Sequence, residues 1–272
     1  MSTEVEYRVE RGVARATITR PQVRNALGWE TWQELAKAVA AAREDPAVYA
    51  LIVHGGGGVF SAGGDVKTMG PRGTGVRAPA ARLRLVHAVM TSLWQFPKPS
   101  FAAVEGPVVG VGWSLAQACD YVIAGQGSFF TAAFARRGLV PDGGLAWMLA
   151  RRLGHQRAAE LLYEGRRLPA SDAAQLGLVN EVVDDGNSLS RCEELAERLA
   201  ALSADALQGT KAQLRQALET SFAGFLSYEE LMVALTWYGD DAREGRQAFL
   251  EKRDPRFGSS ANPRADEGEA SR

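Results

Sequence analysis

Two short alternating runs, VEYRV and VARATIT, lie between Val5 and Arg20 and flank Glu10-Arg11-Gly12. Period-two alternation around a glycine-containing turn predicts a β-hairpin. After Pro21 the period changes, and Trp32, Leu35, Ala36, Val39 and Ala40 recur at helical spacing until Asp45-Pro46 stops them. Tyr49 to His54 is a continuous apolar run of strand length that feeds Gly55 to Gly58. The alternation continues with a helix over Leu83 to Leu93, a strand over Phe101 to Val104 and a short helix after Gly112. Strands near Tyr121 to Ile123, Phe129 to Thr131 and Leu178 to Val183 follow, with further helices between. Strands alternating with helices make this part α/β. Beyond it, Leu189 to Leu202, Leu207 to Leu218, Phe225 to Tyr238 and Ala242 to Lys252 all have helical periodicity. The expected division is a core over 1–187, a helical region over 188–257, and a small, polar and disordered tail over 258–272.

Composition narrows the chemistry by exclusion. With 31 basic and 32 acidic residues the formal charge is −1, so no global field recruits nucleic acid or an anionic membrane. No run approaches the ~18 apolar residues of a membrane span, and the charged amino terminus lacks a signal-peptide core. A cytoplasmic protein is expected. Cys119 and Cys192 have no metal-ligand spacing, and apolar-flanked Cys119 reads as a small buried residue. No metal site is expected.

Three segments can carry chemistry. Val59 to Lys67 (VFSAGGDVK) and Ala103 to Ala116 (AVEGPVVGVGWSLA) are both glycine-rich turns running from a strand toward a helix. Such turns present outward N–H groups suited to a developing oxyanion. The third, Gly138 to Gly144 (GLVPDGG), puts Asp142 at a proline-led helix start, where it is either an N-cap or a reactive carboxylate. Two rival readings use the same letters. His54-Gly55-Gly56-Gly57 and Gly112-Trp113-Ser114-Leu115-Ala116 imitate the oxyanion loop and nucleophile elbow of a serine hydrolase, but no histidine is suitably placed after Ser114 to serve as its base. The glycine run also lacks the Gly-Lys-Ser/Thr of a phosphate-binding loop.

Taken in order, RPQVRNAL (Arg20 to Leu27), FSAGGDV (Phe60 to Val66), Pro97 to Asp120, GLVPDGG, Gly165 to Val183 and AFLEKRDPRF (Ala248 to Phe257) resemble the crotonase superfamily, the enoyl-CoA hydratase/isomerase family. The resemblance covers roughly residues 5–258. GLVPD and the Arg243 to Phe257 tail look most like its isomerase branch, which includes the phenylacetate-pathway ring-epoxide isomerases. It implies an α/β spiral of ββα units with a helical C-terminal region for trimerisation, assembled as a homotrimer or a dimer of trimers. It implies an acyl-CoA thioester substrate, with coenzyme A arriving as part of that substrate and no separate cofactor. By position, the N–H groups of Gly64 and Val111 form the oxyanion hole. Arg24, Ala62, Asp65 and Val66 line the path of the CoA moiety, and Phe249 and Lys252 match positions that touch CoA, often from a neighbouring subunit. Asp65 is expected to shape its loop.

The departures bear on the reaction. The two glutamates used by the family's hydratases match Ser114 and Phe134, so both carboxylates are missing. Ser114 is left to bond substrate or fill the helix start, since an unassisted hydroxyl keeps its proton at neutral pH. A double-bond shift needs one carboxylate to remove and return a proton, which Asp142 supplies, with Glu105 as the fallback. A helix N-terminus lowers the pKa of Asp142, whereas burial among Phe134, Val140 and Trp147 raises it. Trp94, Trp113, Phe134 and Trp147 are either core residues or the lining of a pocket for an aromatic or cyclic acyl group. Hydration, thioester hydrolysis, decarboxylation and non-catalytic acyl-CoA binding remain the alternatives.

Overall fold

A computed structural model describes residues 3–67 and 77–258. The hairpin forms as the alternation requires. Strands β1 (Val5–Glu10) and β2 (Val13–Ile18) pair antiparallel up to Glu10 opposite Val13. Arg11 and Gly12 make the turn with φ of 48° and 76°. Two positive φ values in a two-residue loop match the twist of the flanking strands.

Helix α1 (Trp29–Glu44) follows, then β3 (Ala50–Gly55), α2 (Arg77–Trp94), β4 (Ser100–Val104), β5 (Pro107–Val109) and α3 (Val111–Gln117). Next come β6 (Tyr121–Gly125), β7 (Phe129–Thr131), α4 (Leu145–Leu153), α5 (His155–Glu164), β8 (Leu168–Pro169), α6 (Ala170–Gln175) and β9 (Glu181–Val183). Four helices complete the described residues: α7 (Ser188–Ala200), α8 (Ala204–Ala217), α9 (Phe222–Trp237) and α10 (Asp240–Glu251). Among the described residues, no helix is long and apolar enough to cross a membrane.

The main sheet has the order β1-β2-β3-β4-β6-β9 and is parallel from β2 onward; β5, β7 and β8 form a second, smaller sheet. β3 and β4 read as unbroken apolar runs because both their faces are covered. Leu51, Val53 and Ala102 join the large core cluster on one face. Ile52, Phe101 and Ala103, one residue out of phase, pack with Cys192 and Ala196 of α7 on the other. The first helix of the C-terminal region is thereby packed on the sheet.

Several details differ from expectation. In α1 the buried face is Trp32, Leu35, Ala38, Val39 and Ala42, and Ala40 is exposed. Helix α3 begins at Val111, so Gly112 lies inside it. β9 begins only at Glu181, because the Asn180 side chain, not a backbone carbonyl, accepts the Val122 N–H at 2.8 Å. Residues 259–272, expected to be a tail, lie outside the described residues, as does any helix entered directly after Lys67.

Candidate active site

The first glycine turn is held by hydrogen bonds on nearly every side of Gly64. Fully buried Asn25 donates to the carbonyls of Gly56 and Val59 and accepts from Arg20 N–H. The Ala62 N–H donates to Arg24, the Gly63 N–H to Ser61 Oγ, and the Asp65 N–H to Leu27. Among the described residues, the Gly64 N–H donates to nothing. The second turn leaves a similar vacancy. Gly110 takes φ 54° and ψ −122°, which favours glycine, and its N–H donates to Thr131 while its carbonyl accepts from Trp113 and Ser114. Val111, the first residue of α3, has no described acceptor for its N–H, as expected of a helix start.

The two turns are fastened to one another. Ser61 N–H donates to Pro107, and Val109 N–H donates back to Ser61. A Cβ on Gly63 would stand 2.7 Å from the Val109 carbonyl oxygen, and one on Gly112 would stand 2.8 Å from Ser61 Cβ. Glycine at both positions lets the backbones approach closely enough for Gly64 and Val111 to border one cavity.

That cavity, of about 380 Å³, is lined by Gly64, Val66, Val111, Phe134 and Asp142, which the sequence nominated, and by Arg137 and Leu139, which it did not. Other nominated residues stand elsewhere. Arg24 and Ala62 bond to each other through their backbones, and Asp65 accepts from Arg20 at 2.9 Å and from Lys67 N–H, bracing the loop. Ser114 is fully buried and outside the cavity lining; its hydroxyl donates to the Asp142 carbonyl at 2.8 Å. That bond engages the hydroxyl with a carbonyl, so Ser114 is not the histidine-served nucleophile of a hydrolase. Phe249 and Lys252 lie exposed at the C-terminal end of α10 and do not border this cavity. The Glu105 carboxylate accepts from Ser188 N–H at the start of α7, so it serves as a helix-end acceptor.

Asp142 is not the cap of α4. That position belongs to Gly144, with φ 82° and no side-chain cap bond. The helix end therefore does not govern this carboxylate; its surroundings do. Burial pushes its pKa above the usual value of 3.8, against the opposing charges of Arg82 and then His87. Arg82 Nη2 stands 3.6 Å from Asp142 Oδ2, and Asp142 Oδ1 is buried without a hydrogen-bond partner. Of the apolar residues expected to bury it, Phe134 shares the cavity, whereas Val140 is 82% exposed.

Arg82 escaped the sequence reading, although α2 carried a signal. Val86, Val89, Met90 and Leu93 are the buried stripe of that helix, and Arg82 continues it one turn earlier. A cation on an apolar stripe calls for a buried partner. The four aromatic candidates separate. Trp113 is a core residue packed on Phe130, and Phe134 walls the Asp142 cavity. Trp94 and Trp147 meet edge to face at 5.4 Å and line a second cavity of about 360 Å³ that includes Met90 and Gly143.

Comparison with known proteins identifies the family. The family model for enoyl-CoA hydratase/isomerase matches residues 8–260. A trans-2-decenoyl-[acyl-carrier-protein] isomerase of Streptococcus mutans is 32% identical, over 93% of this chain and 97% of its own length. A 1,2-epoxyphenylacetyl-CoA isomerase of Escherichia coli is 33% identical, over 92% and 96%. The crystal structure of an enoyl-CoA hydratase from Polaromonas sp. JS666 superposes with a TM-score of 0.88 at 34% identity, covering 93% of this chain and 99% of that one. Isomerase and hydratase names thus occur at similar identity, while the family itself is common to all. The chain belongs to the enoyl-CoA hydratase/isomerase family, the crotonase superfamily.

Proposed function

We propose that this protein is an enoyl-CoA isomerase, shifting a carbon–carbon double bond through an enolate of the thioester. The observation that carries the reading is that Gly64 and Val111, whose N–H groups have no acceptor among the described residues, line one cavity together with Asp142. The two positions matching the hydratase glutamates hold Ser114 and Phe134, neither of which transfers a proton at neutral pH.

The thioester oxygen accepts from Gly64 and Val111, and these donors strengthen as negative charge collects on it. Asp142, ionised and with a pKa raised by burial, removes a proton at one carbon and returns it at another, so that no water is consumed. Coenzyme A enters as part of the substrate, and the reaction needs no further cofactor. Its path runs along Arg24, Ala62, Asp65 and Val66. Phe249 and Lys252 reach CoA from a neighbouring subunit of a trimer or a dimer of trimers.

The deciding experiment is a panel of 2-enoyl-, 3-enoyl- and aryl-CoA esters, assayed side by side for isomerisation and for hydration. Asp142→Asn is expected to slow isomerisation by about 10²-fold or more while leaving CoA-ester affinity within a few fold. Hydration outpacing isomerisation across the panel overturns the reading. So does binding with no exchange of α- or γ-protons in deuterated water, which identifies an acyl-CoA binder without catalysis.

A further inference from the structure

We propose that Arg82 is the positioning residue for Asp142, pairing with one carboxylate oxygen by charge alone, favouring the ionised form and leaving the group oriented and free to accept a proton. The inference rests on the proposed role of Asp142 for its kinetic consequence, but the pairing itself stands independently of that role.

The geometry carries the argument. Arg82 projects from the inward stripe of α2, below Val86 and Val89, and its side chain is only 18% exposed. Its Nη2 lies 3.6 Å from Asp142 Oδ2, inside the range of a strong charge pair and outside that of a hydrogen bond. Among the described residues it makes no hydrogen bond to any other group. A guanidinium usually grips a carboxylate in two short parallel bonds, which occupy the oxygen lone pairs and make the group a poor base. Here the offset geometry supplies the charge and leaves the lone pairs unclaimed. The other oxygen, Oδ1, is buried and unpartnered. A carboxylate so placed protonates unless a cation opposes its desolvation.

The remaining charges around Asp142 do not substitute for Arg82. His87 lies on the same helix, one turn further along, and its side chain is exposed. Arg137 borders the same cavity but is also exposed and forms no ion pair with Asp142 among the described residues. From α3 the Asp142 segment receives the neutral Ser114 hydroxyl, on its carbonyl. Arg82 is thus the half-buried cation in contact with the carboxylate.

The test compares wild type, Arg82→Met and Arg82→Lys on two readouts. The first is the Asp142 carboxyl titration in the unliganded protein, followed by carboxyl-carbon NMR and identified by its loss in Asp142→Asn. Arg82→Met is expected to move the midpoint up by about one pH unit, and Arg82→Lys to restore most of that difference. The second is the acid limb of kcat/KM on the best enoyl-CoA substrate. In Arg82→Met it moves up with the midpoint, giving about a tenfold loss below the limb that recovers as pH rises. A midpoint unmoved in Arg82→Met overturns the proposal, as does a rate loss equal at every pH with the limb in place. Should Asp142→Asn retain full activity, the isomerase reading fails while the NMR midpoint still decides whether Arg82 sets the carboxylate's charge. A thermal-unfolding scan of each variant separates misfolding from mispositioning, and Arg82→Lys keeps the test open if Arg82→Met does not fold.

Discussion

The Ser114 hydroxyl donates to the Asp142 carbonyl at 2.8 Å, and this bond ties the helix that starts at Val111 to the loop that holds the candidate base. Ser114, which the family resemblance matches to a hydratase glutamate, here makes a buried structural hydrogen bond. Ser114→Ala removes one buried neutral hydrogen bond and is expected to cost about 1 kcal/mol of stability. The effect on rate is expected to be larger than the effect on substrate binding, because the loop carrying Asp142 loses its tie to α3. Urea unfolding and steady-state kinetics on the same preparation check both parts; an unchanged kcat with reduced stability limits Ser114 to folding.

Gly112 tests the seam between the two turns. Alanine inside a helix is ordinarily better than glycine by about 1 kcal/mol. At Gly112 the added Cβ would stand 2.8 Å from Ser61 Cβ and 2.9 Å from its Oγ, and Ser61 is fully buried. Overpacking of this kind costs about 1–3 kcal/mol, so it exceeds the gain in helix propensity. Gly112→Ala is therefore expected to lower stability and to spread the Gly64 and Val111 N–H groups, reducing kcat/KM further than stability alone accounts for. A more stable and fully active variant contradicts the close approach.

Local signals in the chain reached the hairpin and the parallel strands, because alternation, glycine turns and unbroken apolar runs each have a near-neighbour cause. Motif order nominated Gly64 and Val111, and turn geometry leaves their N–H groups without an acceptor among the described residues. What lay beyond reach depends on packing between distant segments. Arg82 and Asp142 are far apart in sequence, and only the docking of α2 beside the Asp142 loop brings them together. Asp142 looked like a helix cap because proline and glycine frame it, yet two glycines with positive φ, Gly143 and Gly144, delay the helix until Leu145. The start of β9 moved because one amide side chain, that of Asn180, replaces a ladder acceptor.

Helix α9 makes a prediction about assembly. No residue along Phe222–Trp237 is buried, and Leu231, Leu235 and Trp237 are more than half exposed in the single chain. A helix this apolar, with Glu229 and Glu230 its only charged residues, is characteristic of a buried element, so a second chain is expected to cover it. Light scattering after gel filtration should give a trimer or a dimer of trimers, and Leu235→Glu should shift it toward smaller species. A monomer at micromolar concentration excludes this arrangement.

Asp142 finally sets stability against activity, with a sign that follows from its surroundings. Its folded-state pKa is raised above the usual 3.8, with burial the largest cause, so the fold disfavours the ionised form relative to the unfolded chain. The associated stability is fully present below the unfolded carboxylate value and is lost as pH rises through the folded one. Once ionised, the side chain therefore weakens the fold, and the same burial strengthens it as a base. Asn keeps the shape and stays neutral. Asp142→Asn is expected to unfold at a higher temperature than wild type at about pH 8, with the gap closing as pH falls toward about 4. Its isomerase activity is expected to be lost over the same range. A variant less stable than wild type at pH 8 shows that the attraction of Arg82 outweighs desolvation, reversing the balance that makes this carboxylate a base.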